Sequence, residues 1–173
     1  MKFNFYTLRV LVILGLMVSS ITVSARGVYQ TDQDFLIESF NGSVPNSKVV
    51  WIKGDLKSTI AEILGHHYVG LRIRYWQNEQ ASAWILEEIG KEKPITFGIV
   101  VADGKIATMK VLAFRESRGG EIRHPAFTEQ FKQATLDELQ LDRHIDGVSG
   151  ATLSVRAMTV VARLALYLDK FTG

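Results

Sequence analysis

Ile95 to Phe114 reads "ITFGIVVADGKIATMKVLAF", two runs of apolar and β-branched residues on either side of Asp103-Gly104. An Asp-Gly pair accepts the positive φ angles of a two-residue turn whose twist matches that of paired strands. The stretch is therefore a predicted β-hairpin, and its neighbours extend a sheet around it. Upstream, "SAWILEE" (Ser82 to Glu88) fits a strand or a helical turn, and the Gly/Pro break that follows Trp84, Ile85 and Leu86 favours the strand. Before that, "YVGLRIRYW" alternates. Val69, Leu71, Ile73 and Tyr75 point one way and Arg72, Arg74 and Trp76 the other, as in a half-buried strand.

Helices flank these strands. "GDLKSTIAEILGH" (Gly54 to His66) places Leu56, Ile60, Ile63 and Leu64 on one face, with Asp55 as the expected cap and Gly65 as the stop. His66 and His67 then read as loop polarity beside a helix C-terminus. Downstream of the hairpin, "RESRGGEIRHP" is charged and turn-rich. Pro125 suits the first turn of a short helix in "PAFTEQFKQ", and residues 134–145 are expected to be irregular or briefly helical. The last helix is clear: Leu153, Ala157, Val160, Val161, Leu164, Leu168 and Phe171 recur at steps of three and four, with Arg156, Arg163 and Lys170 opposite. Together these elements make an α+β domain: a small antiparallel sheet with a central hairpin, packed by short helices and one long C-terminal helix.

The first 25 residues stand apart. Lys2 and Arg9 form a positive start, Val10 to Val18 an apolar stretch short for a bilayer span, and Val23 to Ala25 a small-residue cleavage site. They read as a secretory signal, with an uncleaved membrane anchor as the alternative, so the domain is expected in the periplasm or otherwise outside the cytoplasm. A polar segment with turn chemistry in "FNGSVPNS" covers residues 26–47, and one domain follows from residue 48. The chain holds 20 basic and 18 acidic residues, and two of the basic ones lie in the leader, so the remainder is formally neutral. A neutral domain without a basic run is a poor match for nucleic acid. With 0 cysteines there is no disulfide framework, thiol redox centre or thiolate metal site. The histidines His66, His67, His124 and His144 fit no metal-binding spacing. Redox chemistry in this chain needs a borrowed cofactor.

The start of the final helix, "DGVSGATLS" (Asp146 to Ser154), raises a separate question. Gly147, Ser149, Gly150, Ala151 and Thr152 are too small to pack a core. In the plain reading Ser149 or Thr152 caps the helix and the glycines form a turn. In the other, the free amides and positive dipole end of the helix receive a phosphate, with the glycines and Ala151 keeping side chains out of its way. A hydrolase-type nucleophile elbow is disfavoured, because "LQLDRHID" is no apolar strand and no histidine follows His144.

Asp146, two residues and then Ser149-Gly150-Ala151-Thr152 closely resemble the flavinylation motif of FMN-binding domain proteins, a family that includes a flavin-bearing component of the sodium-translocating NADH:quinone oxidoreductase. The resemblance extends upstream through the hairpin and the loop from Glu116 to Phe127, covering roughly residues 80–170. It implies an electron carrier rather than a stand-alone enzyme, with FMN joined through its phosphate to Thr152 by a flavin transferase that recognises Asp146, and with a membrane-bound redox partner. Glu116, Ser117, Gly119 and Gly120 are then the loop residues expected near the flavin. Trp84 or Phe127 is a candidate cover for a ring face, and Arg115, Arg118, Arg123, Arg143 and His144 are nearby cations. The alternative function is a non-redox ligand- or partner-binding module of the same fold without covalent flavin.

Overall fold

A computed structural model describes residues 27–173; the leader read over residues 1–25 lies outside the described residues. Five strands form one antiparallel sheet in chain order: β1 (Ser47–Trp51), β2 (Arg72–Gln77), β3 (Ser82–Ile89), β4 (Pro94–Ala102) and β5 (Lys105–Phe114). The expected hairpin is β4–β5. Asp103 and Gly104 take φ of 53° and 68° at its tip, the double positive-φ turn that Asp-Gly accepts. Residues 95–101 of β4 are all buried, which explains why Thr96 is the one polar residue among them: this strand has cover on both faces.

One face carries the main core. Ile95, Phe97, Ile99 and Val101 of β4 pack there with helix α2 (Gly54–Leu64) and the long helix α4 (Thr152–Thr172). Trp84 of β3 is fully buried and stacks on Tyr75 with ring centroids 4.7 Å apart, a pairing worth about 1 kcal/mol beyond its buried area. The Trp84 indole N–H donates to Ser82 Oγ at 2.7 Å. Ser82 Oγ donates in turn to Asp169 near the end of α4, so the buried polar groups of β3 are satisfied. Helix α4 is buried on more than one stripe: Met158, Ala162, Ala165 and Leu166 join Ala157, Val160, Val161, Leu164 and Leu168. It lies between the sheet and α2, so the two ends of the expected apolar stripe, Leu153 and Phe171, are 43% and 55% exposed.

The second face is covered by helix α1 (Asp32–Ser39), in a region whose sequence reads only as polar and turn-rich. Thr31 caps it by accepting the Asp34 amide at 3.1 Å, and Phe35, Leu36 and Phe40 pack on Ala83, Val100 and Leu112. Three apolar residues in eight are too weak a period to announce a helix; the Thr31 cap is the local signal. Gly98 makes room for it, because a Cβ there would fall 2.7 Å from the Phe35 ring.

Three further expectations need correction. The strand read from Tyr68 begins only at Arg72, and Val69 and Leu71 are 97% and 76% exposed instead of facing a core. Asp55 does not cap α2: Lys53 holds the cap position without a side-chain bond and Asp55 sits in the first turn, where its charge still favours the helix. Residues 134–145 hold a two-stranded ribbon, β6 (Leu136–Asp137) with β7 (Gln140–Leu141); Arg163 on α4 donates to its Leu139 carbonyl. The short helix α3 (Pro125–Thr128) begins at Pro125 as expected and runs into a 3-10 turn, Glu129–Phe131. Replacing Gly98 with Ala, which drives a methyl group into the buried Phe35 ring, is expected to lower stability by about 1–3 kcal/mol. Urea unfolding followed by tryptophan fluorescence measures it.

Candidate functional site

Two elements converge at one end of the sheet. After Phe114 the chain leaves β5 as Arg115–Gly120, and Gly119 turns it back with φ of 86°. A Cβ at Gly119 would stand 2.7 Å from Ser154 Oγ and 3.3 Å from the Ala151 Cβ. The loop therefore lies directly on the first turn of α4, and a side chain at this position would lift it away. Opposite, Gly150 has φ of 78° and open space where its Cβ would be, and Ala151 holds the cap position. No side chain caps the helix. The plain reading, in which Ser149 or Thr152 supplies that cap, is thus set aside. The first-turn amides keep their donor capacity for something else.

A cleft of about 560 Å³ separates the two elements. Glu116, Ser117 and Arg118 line one side, Gly150 to Ser154 the other, and Lys91 the end. Of the residues picked from the sequence, Glu116, Ser117, Gly150, Ala151 and Thr152 meet here. Gly119 is buried behind the cleft, and Gly120 lies under the Phe114 ring. Asp146 and Ser149 are exposed outside the lining. The Asp146 amide donates to Gln130 Oε1 at 2.7 Å, leaving its carboxylate in solvent 3.9 Å from His144 Nε2.

Glu116 has a role in the protein itself. Its Oε1 accepts the amides of Lys91, Glu92 and Lys93 at 2.6, 2.6 and 2.9 Å. Burial pushes the carboxyl pKa up, but these three donors outweigh it and hold the group below its ordinary value. The carboxylate ties the β3–β4 turn to the loop and so delivers Lys91 to the cleft. Lys91 is the residue that sequence reading missed, since 25 positions separate it from Glu116.

The other expected neighbours are spent elsewhere. Arg115 donates to Thr96 Oγ1 and the Pro94 carbonyl and pairs with Glu87. Arg123 lies 4.8 Å over the Tyr29 ring. Arg143 donates to the carbonyls of Lys132 and Gln133 and to Asp142, whose pKa that guanidinium lowers to about 2. Arg118 alone of the five named cations lines the cleft. Trp84 and Phe127 are core residues, Phe127 edge-on to Phe131, and neither is free to cover a ligand ring.

One turn into α4, Arg156 reaches Glu88 of β3 at 3.7 Å. Glu88 is 3% exposed, and His66 Nε2 lies 3.1 and 3.0 Å from its two oxygens. The buried Glu88 carboxyl thus lies between a guanidinium and an imidazole, the partners that a group removed from water requires. His66 is therefore more than loop polarity.

The FMN-binding domain family model matches residues 90–167, from the turn held by Glu116 to the body of α4. This segment is similar to FMN-binding domains. No curated protein matches the chain. The domain's cleft suits such a cofactor: an uncapped helix start, a glycine with open space beside it, two cations and the hydroxyls of Ser117 and Thr152 meet within it.

Two outcomes follow from this geometry. Replacing Glu116 with Ala should speed hydrogen exchange at the amides of Lys91, Glu92 and Lys93 by about tenfold or more, while exchange within β4 and β5 stays unchanged. The His67 carbonyl and then Glu88 raise the pKa of His66 above 6.5, so its link contributes stability that is complete below 6.5 and fades as pH rises through the raised value. An NMR titration of the His66 ring should show that elevation, and Glu88→Gln should bring the midpoint down.

Proposed function

We propose that the domain is an exported electron-transfer flavoprotein that carries FMN covalently, through a phosphoester to Thr152. The observation that carries this reading is the placement of Thr152. It is exposed at the first position of a helix with no side-chain cap, inside the cleft, at the end of the Asp146…Ser149-Gly150-Ala151-Thr152 pattern and within the matched FMN-binding segment.

Attachment balances as a phosphoryl transfer from FAD. The Thr152 Oγ–phosphorus bond forms, the pyrophosphate bond of FAD breaks, AMP departs, and the hydroxyl proton passes to a base on a flavin transferase. Asp146 and Ser149 stand exposed beside Thr152, on the surface such an enzyme approaches. Once joined, a phosphodiester there faces the first-turn amides of α4 and the positive end of its dipole. Lys91 and Arg118 add two cations to the anionic group. FMN, when bound, supplies reversible uptake of one or two electrons. The chain's own part is to hold it, keep it from dissociating and leave one side of the cleft open to a redox partner at a membrane. Among the described residues no helix is long and apolar enough to cross a membrane, so on this reading any anchoring comes from the leader or the partner.

Co-expression with a flavin transferase should give a yellow protein whose colour survives acid denaturation and whose intact mass rises by one FMN residue. Thr152→Ala should remove the attachment completely while stability stays within about 0.5 kcal/mol, because the side chain is exposed and makes no hydrogen bond that the fold uses. A colourless product from the unaltered chain points to a non-redox binding module, and a flavinylated Thr152→Ala protein refutes the assignment of the site.

A further inference from the structure

The sheet opens between β2 and β3. These strands pair only at Tyr75↔Trp84, Trp76↔Ala83 and Gln77↔Ser82, although β2 stays paired with β1 as far as Arg72 and β3 with β4 as far as Ile89. From Ile85 to Ile89, the edge of β3 that faces β2 has no backbone partner among the described residues. A wedge-shaped cleft of about 780 Å³ occupies the gap. Its inner wall is apolar core, formed by Leu64, Ile73, Leu86 and Leu164. Its outer wall carries the exposed Arg72 and Arg74. Val69 and Leu71 flank the mouth, more exposed than any other large apolar residues described.

We propose that this wedge is a docking groove for an extended, acidic segment of a partner protein, which adds a strand between β2 and β3. An open strand edge is completed by another extended backbone, since only that supplies donors and acceptors at matching intervals. Side chains of the added strand alternate between the two walls, so every second one is apolar and meets Ile73, Leu86 and Leu164. Those between meet Arg72 and Arg74, and these set the sign. Neither arginine has a carboxylate within 4.0 Å among the described residues; Arg72 lies over the Trp51 ring at 5.9 Å instead. The acids of β3 already have partners, Glu87 in Arg115 and Glu88 in His66 and Arg156. Asp32 is the lining acid without an ion pair, against two free guanidinium groups. The unanswered charge of the groove is positive, and carboxylates at alternate positions answer it.

The test titrates two ten-residue peptides, one alternating valine with glutamate and one valine with lysine, into the full chain. Tryptophan fluorescence reads affinity and hydrogen exchange reads location. The glutamate peptide should bind about tenfold tighter or more, and amides within Ile85–Ile89 should gain protection while β4 and β5 do not change. Arg72→Glu combined with Arg74→Glu should reverse the preference, with unchanged exchange in β4–β5 showing that the variant folds. Equal affinities, no binding, protection elsewhere or a preference that survives the reversal overturns the proposal. So does protection of Ile85–Ile89 that grows with the chain's own concentration in the absence of peptide, which makes the occupant a second copy. None of these readouts depends on Thr152.

Discussion

The approach of Gly119 to the first turn of α4 brings the candidate site into being. With nothing but a hydrogen on its α-carbon, the loop after the hairpin lies against Ala151 and Ser154 at a separation that any side chain would prevent. That contact joins the end of β5 to the start of the long helix, and the cleft is the space left between them. The rest of the domain serves the same junction. The β4–β5 hairpin sets where the loop departs, and the burial of α4 against the sheet and α2 sets where the helix starts. The missing side-chain cap is consistent with this arrangement, since an amide that a cap satisfies has less to offer a phosphate.

Charge is distributed with similar economy. The segments around the cleft are rich in arginine, yet most of these side chains complete the fold: Arg115 closes the β4 end of the sheet, Arg143 clasps the carbonyls before β6, and Arg123 covers Tyr29. A guanidinium with five donors is well suited to that work. What lines the cleft is Arg118 together with Lys91, whose ammonium also reaches the exposed Glu92 at 3.5 Å, and Lys91 is in place because one carboxylate, Glu116, gathers three consecutive amides of the preceding turn. Acidic and basic residues close in sequence were a poor guide to which charges stay free.

Glu88 lines the wedge between β2 and β3 and is held from two sides. Arg156 approaches it from the helix turn that follows Thr152, and His66 approaches it from the lip of the wedge between β2 and β3. A nearly buried carboxyl group is costly to leave without partners, so the cluster ties the helix start to the wedge lip. The candidate cleft beside Thr152 and the proposed strand groove therefore share this contact, although each stands on its own residues.

Local chemistry alone determined the hairpin, the two long helices and the place of the unusual small-residue run. Asp103-Gly104 admits few other turns, the three-and-four spacing of α4 spans 21 residues, and no large apolar side chain occurs from Asp146 to Ala151 except Val148. Such signals are short-range and need no knowledge of what packs against them. Tertiary structure decided the rest. The alternation at Val69 and Leu71 looked like a strand face, but β2 parts from β3 and no core lies beneath them. Helix α1 was hidden because Phe35, Leu36 and the capping Phe40 acquire meaning only against Ala83, Val100 and Leu112. Lys91 reached the cleft across 25 positions of chain. A periodic pattern records which face of an element is apolar; whether another element arrives to cover that face, or a distant carboxylate to hold a turn, depends on the packing of the whole chain.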